Sequence, residues 1–333
     1  MLNSAVFITI IVILFSLIFD FINGFHDTAN AIATSVSTRV LTPREAIIMS
    51  ASLNLVGSFV SVKVATTIGA DIVNPNLIPQ LVIVVALIAA IIWNLITWYY
   101  GIPNSSSHAL IGGLLGSSIV YTGSLSVVNW HNFLVRVVLW LFLSPVIGFI
   151  MGYLLMILLF WILKDVRPKT VTKIFSKAQI ASAAFMAFNH GANDAQKSMG
   201  IIAMALLSGG LISSFYIPVW VKICCAVAMA LGTSIGGWKI IKTMGVNMAH
   251  LAPVNGFAAE TGAALVIFTA TMFHAPVSTT HIISTSIMGV GAAKRLSSVR
   301  WNLAKNIAWS WLITIPVCML IASLLILLLK VLI

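Results

Sequence analysis

The chain has 333 residues, 60% of them hydrophobic and only 8% charged, with a mean hydropathy of +1.09. That balance excludes an ordinary soluble domain. The net charge of +11 does not indicate a nucleic-acid partner, because nine of the eighteen Lys and Arg residues fall in two short segments, 164–177 and 294–305, as they do in cytoplasmic loops.

Apolar runs of membrane-spanning length lie at 4–22, 80–101, 137–163 and 306–329. A helix needs about 20 apolar residues to cross the hydrocarbon, and barrel strands would alternate polar and apolar residues, which these do not. An all-α polytopic membrane protein is predicted. The first run has no basic residue before it, which argues against a cleaved signal peptide. Cys224, Cys225 and Cys318 lie within apolar runs without a CxxC spacing, so they read as packing residues.

The chain repeats itself. "NGFHDTANA" (23–31) aligns with "HGANDAQKS" (190–198), which sets Asp27 over Asp194 and Gly24 over Gly191. "IPNSSSHALI" (102–111) aligns with "APVSTTHIIS" (275–284), and Trp130, Trp140 and Pro145 align with Trp301, Trp311 and Pro316. The expected units are a first transmembrane repeat at 1–163, a basic cytoplasmic linker at 164–177 and a second repeat at 178–333. Arg39 and Arg44 follow the first segment, whereas the equivalent loop 206–219 has no charge. Loop 121–131 lacks Lys and Arg, whereas 294–305 carries Lys294, Arg295, Arg300 and Lys305. Opposite charge bias in equivalent loops predicts two inverted repeats with both termini outside, an arrangement of many secondary transporters. Ten hydrophobic elements are expected, or up to twelve with broken or re-entrant helices counted separately; 80–121 could cross or re-enter.

Polar groups at mid-membrane are costly unless they line an enclosed cavity. Asn189, His190, Asn193 and Asp194 therefore suggest a site, with Gly191 as a place where the helix could unwind. The second pair of blocks sets hydroxyls after a proline: Ser105, Ser106 and Ser107 after Pro103, and Ser278, Thr279 and Thr280 after Pro276. This is a helix-start pattern. Two such starts would hold a tetrahedral oxyanion through N–H groups, hydroxyls and the helix dipole. Ionised Asp27 and Asp194 would accept the proton of monohydrogen phosphate, hold a coupling cation, or both. Asn30, Asn193, Asn104 and the Ser/Thr hydroxyls offer further oxygens for a hard ion. His108 and His281 are expected to support the site rather than touch the ligand. Glu260 and Lys197 could hide as an ion pair, or Glu260 could carry a proton. Lys63 and Lys239 are expected to snorkel to the interface. Gly112, Gly113, Gly116, Gly289 and Gly291 would let helices pack closely.

These blocks resemble the duplicated signatures of the inorganic phosphate transporter (PiT) family: "GFHDTANA" and "GANDAQKS" for the first, "PNSSSH" and "PVSTTH" for the second. The resemblance spans nearly the whole chain. It departs at Phe25-His26 in the first copy and Gln196-Lys197 in the second. It implies a symporter in the cell membrane, multi-pass and surrounded by lipid, carrying inorganic phosphate by alternating access with sodium or protons, and without a resident cofactor. It places Asp27, Asn30, Asn193, Asp194 and Gln196 in one signature and the two hydroxyl runs in the other. A sulfate permease of the same family is the alternative substrate reading, and an intramembrane hydrolase using Asp27 and Asp194 is the alternative of another class. A homodimer is the expected assembly, with no interface legible in the sequence.

Overall fold

Each of the four apolar runs becomes a helix long and apolar enough to cross a membrane in the computed structural model, which describes residues 2–249 and 251–332. These are α1 (Leu2–Ser37), α4 (Gln80–Tyr100), the continuous rod Trp130–Leu163 and α14 (Trp301–Leu332). The rod contains α6 (Trp130–Phe133) and α7 (Leu139–Leu163), joined by a π-helical turn. Between them lie α2 (Pro43–Gly57), the short α3 (Lys63–Thr66) and α5 (Ser106–Thr122). The second half adds α8 (Pro168–Asp194), α9 (Gln196–Ser208), α10 (Val219–Ile235), α11 (Trp238–Lys242), α12 (Pro253–Met272) and α13 (Thr279–Lys294).

The duplication extends to small features. A π-helical turn follows α3 at Thr67–Asp71 and α11 at Thr243–Asn247. Isolated β-bridges join Val73 to Val128 and Ala249 to Val299. The matched tryptophans do the same work: the indole N–H of Trp130 donates to the Leu125 carbonyl at 2.9 Å, and that of Trp301 to the Leu296 carbonyl at 2.8 Å. Lys63 and Lys239 are also equivalent. Each ammonium reaches a carbonyl at the end of a helix of the other half, Met272 at 3.2 Å and Tyr99 at 2.8 Å. A cation near a helix C-terminus is favoured by the dipole, so each lysine caps the helix end it reaches.

The halves interlock rather than sit side by side. α5 packs on α14 and α13 on α7; α1 crosses α10, and α2 crosses α8. Glycines make the crossings close. A Cβ on Gly24 would strike Met229 and Thr233 backbone, and one on Gly191 would lie within 2.7 Å of the Asn54 backbone O, Cα and C atoms. The unwinding expected at Gly191 does not occur. α8 runs through it to Asp194, and Ala195 keeps helical dihedrals (φ −65°, ψ −24°) before α9 resumes. The missing side chain serves packing against α2 instead. The sharp break falls elsewhere, with a 63° bend between α10 and the segment that α11 opens. Gly112 and Gly116 meet backbone of α14, Gly113 meets Ala86 of α4, and Gly289 meets Phe149 of α7.

The outside is apolar. Phe142, Val146, Ile150, Leu154 and Leu158 form an exposed ridge along α7, since residues four apart share a helix face. An exposed apolar surface of this extent is suited to lipid, not water. If the repeats are inverted across the bilayer, cysteines introduced at 125 and 297 are labelled from opposite sides of sealed vesicles. Labelling from one side would end that reading.

Candidate functional site

Two helical hairpins converge on the centre. In the first, α4 ends at Gly101, whose φ of +67° favours a glycine, and the chain turns back into α5. In the second, α12 ends at Met272 and a non-glycine residue, His274, takes the left-handed position (φ +62°) before the chain turns back into α13. Ser105 caps α5 by accepting the His108 backbone N–H at 3.2 Å, and Ser278 caps α13 by accepting that of His281, also at 3.2 Å. The imidazole centroids of His108 and His281 lie 5.1 Å apart, so the two helix starts meet. His281 also stacks on Trp311 at 4.0 Å.

Around that meeting point the polar side chains form a closed ring. Ser106 Oγ donates to Asp27 Oδ2 at 2.8 Å, and Thr280 Oγ1 lies 3.4 Å from Asp27 Oδ1. Asn30 Nδ2 donates to Thr280 at 2.9 Å and Thr279 at 3.1 Å. Thr279 Oγ1 lies 3.4 Å from Asp194 Oδ2, which pairs with Lys197 Nζ at 3.0 Å. Lys197 Nζ then meets Ser106 Oγ at 2.8 Å and closes the circuit. No member is more than 2% exposed. Members come from both halves, and α1, α5, α13 and the α8–α9 segment all contribute.

The ring is electrically unusual for a membrane interior. Two carboxylates face each other: Asp27, His190 and Asp194 each offer a ligand atom within 4.8 Å of the others. His26 Nδ1 also lies 2.8 Å from Asp27 Oδ1. Burying charge without partners is costly, and here hydroxyls, imidazoles and one ammonium share it. Several oxygens are buried without a hydrogen-bond partner among the described residues: Asn30 Oδ1, Asn104 Oδ1, Asn193 Oδ1 and Asp194 Oδ1. Unpaired buried oxygens are rare in folded proteins and suit a hard cation or a ligand proton.

The sequence pattern of the phosphate transporter family matches residues 23–170 and again 163–322. The chain belongs to that family. Its transporter relatives include the Bacillus subtilis protein named "Probable low-affinity inorganic phosphate transporter", 51% identical over 313 residues and 93% of each chain. A Rhizobium meliloti protein of the same name is 48% identical over 311 residues, covering 93% of this chain and 92% of its own. The solved structure described as "The sodium-dependent phosphate transporter" is similar with a TM-score of 0.89 and 26% identity, covering 98% of this chain and 100% of its own. These relatives are transporters, which sets the hydrolase alternative aside.

Of the residues singled out in this transporter's sequence, Asp27, Asn30, Ser106, Thr279, Thr280 and Asp194 meet in the ring. Ser107 sits one step away, its Oγ 3.5 Å from the Val277 carbonyl of the opposite hairpin. Ser105 and Ser278 are occupied as caps. Asn104 ties its hairpin tip to Thr97 at 2.9 Å, and Asn193 donates to Thr271 at 2.9 Å; each keeps a free carbonyl oxygen. Gln196 lies outside the ring, because its Oε1 accepts the backbone N–H groups of Val64 (2.8 Å) and Ala65 (3.1 Å) and its Nε2 bonds the Ala192 carbonyl.

The Glu260–Lys197 ion pair does not form. Glu260 is buried among Thr34, Ser182 and Gln179, all of which donate to it, whereas Lys197 turns to Asp194. The cause is register: Lys197 stands one helical turn beyond Asp194 on the same face. Two neighbours of the carboxylates take a role other than the expected one: His190 is expected to line an enclosed cavity and Lys197 to pair with Glu260, whereas both stand at Asp194. Asp20, buried and bonded by Ser198 Oγ at 2.6 Å, hides within an apolar run. The repeat alignment held the signal for Lys197, since it stands where Asn30 stands in the first copy.

Proposed function

We propose that the protein is a secondary active symporter that moves inorganic phosphate across the cell membrane, coupled to sodium or protons, by alternating access. The observation that carries this reading is the closed ring formed where the two hydroxyl-bearing helix starts meet beside paired carboxylates. Phosphate would displace the ring's internal hydrogen bonds and take them over. Ser106, Ser107, Thr279 and Thr280 donate to its oxygens, and the converging helix N-termini favour its charge. Asp27 or Asp194 accepts the proton of monohydrogen phosphate. A coupling cation, held by Asp27, Asp194, Asn30 and the free amide oxygens of Asn104 and Asn193, offsets the anion's repulsion from the acids. His190, 3.3 Å from Asp194 Oδ2, would stand beside that cation.

Burial of every ring member favours an enclosed site that must open to each side in turn, and cation binding would permit that only when cargo is loaded. Because each inner hairpin packs on the last helix of the other half, the body that moves is assembled from both repeats. The relative described as sodium-dependent supports a coupling ion.

The test is uptake into proteoliposomes with sodium and pH gradients imposed separately. Phosphate accumulation driven by one of them is expected; flux indifferent to both would mean a channel. In the same vesicles unlabelled sulfate should compete far less well than unlabelled phosphate, because sulfate lacks the proton that an ionised aspartate accepts. Stronger inhibition by sulfate would reassign the substrate.

A further inference from the structure

The ring has pseudo-twofold symmetry with two breaks. Asp27 answers to Asp194 and Ser106 to Thr279, but Thr280 is in the ring whereas its counterpart Ser107 bonds the Val277 carbonyl instead, and Asn30 answers to Lys197. Asn30 and Lys197, though unlike, occupy like places. Asn30 donates across the interface to Thr279 of the second half, and Lys197 donates across it to Ser106, the equivalent residue of the first. The hydroxyl each one meets is, in turn, directed at the aspartate of its own half.

From this we infer that Lys197 is a tethered cation, standing at the second half's carboxylate in place of a mobile one and so lowering by one the cations this chain must move with each phosphate. The inference rests on the symport reading above and specifies its stoichiometry. Asp27 and Asp194 bring two negative charges, and Lys197 returns one. A single mobile monovalent cation then balances the pair. An asparagine at 197, as at 30, would leave two charges to balance and would open a seat lined by Asp194 Oδ2, Thr279 Oγ1 and Ser106 Oγ. Those are hard oxygens of the kind sodium accepts. The ammonium is held closely enough to exclude that ion: 3.0 Å from Asp194 Oδ2, 2.8 Å from Ser106 Oγ and 1% exposed. A lysine kept only to glue helices would not need to stand at the one carboxylate equivalent to Asp27, nor to bridge both halves.

The experiment is the reversal potential of phosphate flux in proteoliposomes with defined phosphate and sodium gradients, which gives the number of charges moved per phosphate. Lys197→Asn is expected to move one more cation per phosphate than the wild type, with a correspondingly steeper sodium dependence. Lys197→Arg, which keeps the charge, is expected to retain the wild-type ratio. An unchanged ratio in Lys197→Asn overturns the inference, as does the same altered ratio in both variants. Should Lys197→Asn fail to fold or transport, the wild type decides: a structure determined with thallium and phosphate is expected to show no thallium in the seat between Asp194 Oδ2, Thr279 Oγ1 and Ser106 Oγ that the ammonium fills, and thallium in that seat overturns the proposal. Absence of coupled phosphate uptake by the wild type would instead sink the symport reading, so the two failures are distinct.

Discussion

Asp27→Asn is expected to lower phosphate uptake by about a hundredfold or more while leaving the fold intact. The substitution keeps size and shape and removes only the charge. Asp27 accepts Ser106 at 2.8 Å and His26 at 2.8 Å, and Thr280 approaches at 3.4 Å. A hydrogen bond to a charged group contributes about 1.5–3 kcal/mol, and roughly 1.4 kcal/mol is a factor of ten, so losing two such contacts reaches that figure. On the proposed mechanism the coupling cation loses a ligand at the same time. Initial rates of labelled phosphate uptake, with thermal unfolding of the purified variant as the control for folding, measure it. Uptake within about threefold of wild type, on a scale where tenfold is about 1.4 kcal/mol, would make Asp27 a packing residue and remove it from the mechanism.

The second large effect concerns the frame. Gly191→Leu is expected to destabilise the protein by several kcal/mol, at or beyond the usual 1–3 kcal/mol of overpacking. The reason is that all three atoms crowding a Cβ there belong to the Asn54 backbone. A flexible side chain could swing away, but α2 would have to move as a body, and α2 is also tied to α10 through the Asn54–Thr233 hydrogen bond. Gly262→Ala is the contrast. Its nearest neighbours are 3.3 Å away, so a small shift suffices. Thermal unfolding in detergent should show a large drop for the first variant and little for the second. If Gly191→Ala instead kept its stability and lost only transport, the glycine would be a hinge rather than a packing contact.

The sequence made much of this legible because membrane insertion constrains composition so strongly. The four long helices follow from runs of about 20 apolar residues, and the two hairpin tips follow from proline and hydroxyl residues at helix starts. The duplication was visible because polar side chains recur at matched places: Asp27 with Asp194, and the serine run with its counterpart. Interlocking of the halves was not legible. It depends on which glycine faces which backbone, and Gly24 and Gly191 look equally suited to a hinge until the crossing helix is in place.

Side-chain pairing was similarly hidden. Glu260 and Lys197 invite an ion pair in a chain with so few charges, yet three donors converge on Glu260 from α1 and α8. Gln196 resembles a ligand by its place in the signature, but α3 begins beside it and takes its carbonyl oxygen. Asp20 was masked by the strength of the apolar run around it. In each case the partner lies more than thirty residues away or on another helix, where periodicity carries no information.

A structure of the transporter determined with phosphate bound tests the central claim most directly. Tetrahedral density is predicted between the starts of α5 and α13, within hydrogen-bond distance of Ser106 and Thr279 or Thr280 and adjacent to Asp27 and Asp194. Phosphate bound elsewhere, with the Ser106–Asp27 and Asn30–Thr280 contacts still closed on themselves, would contradict it.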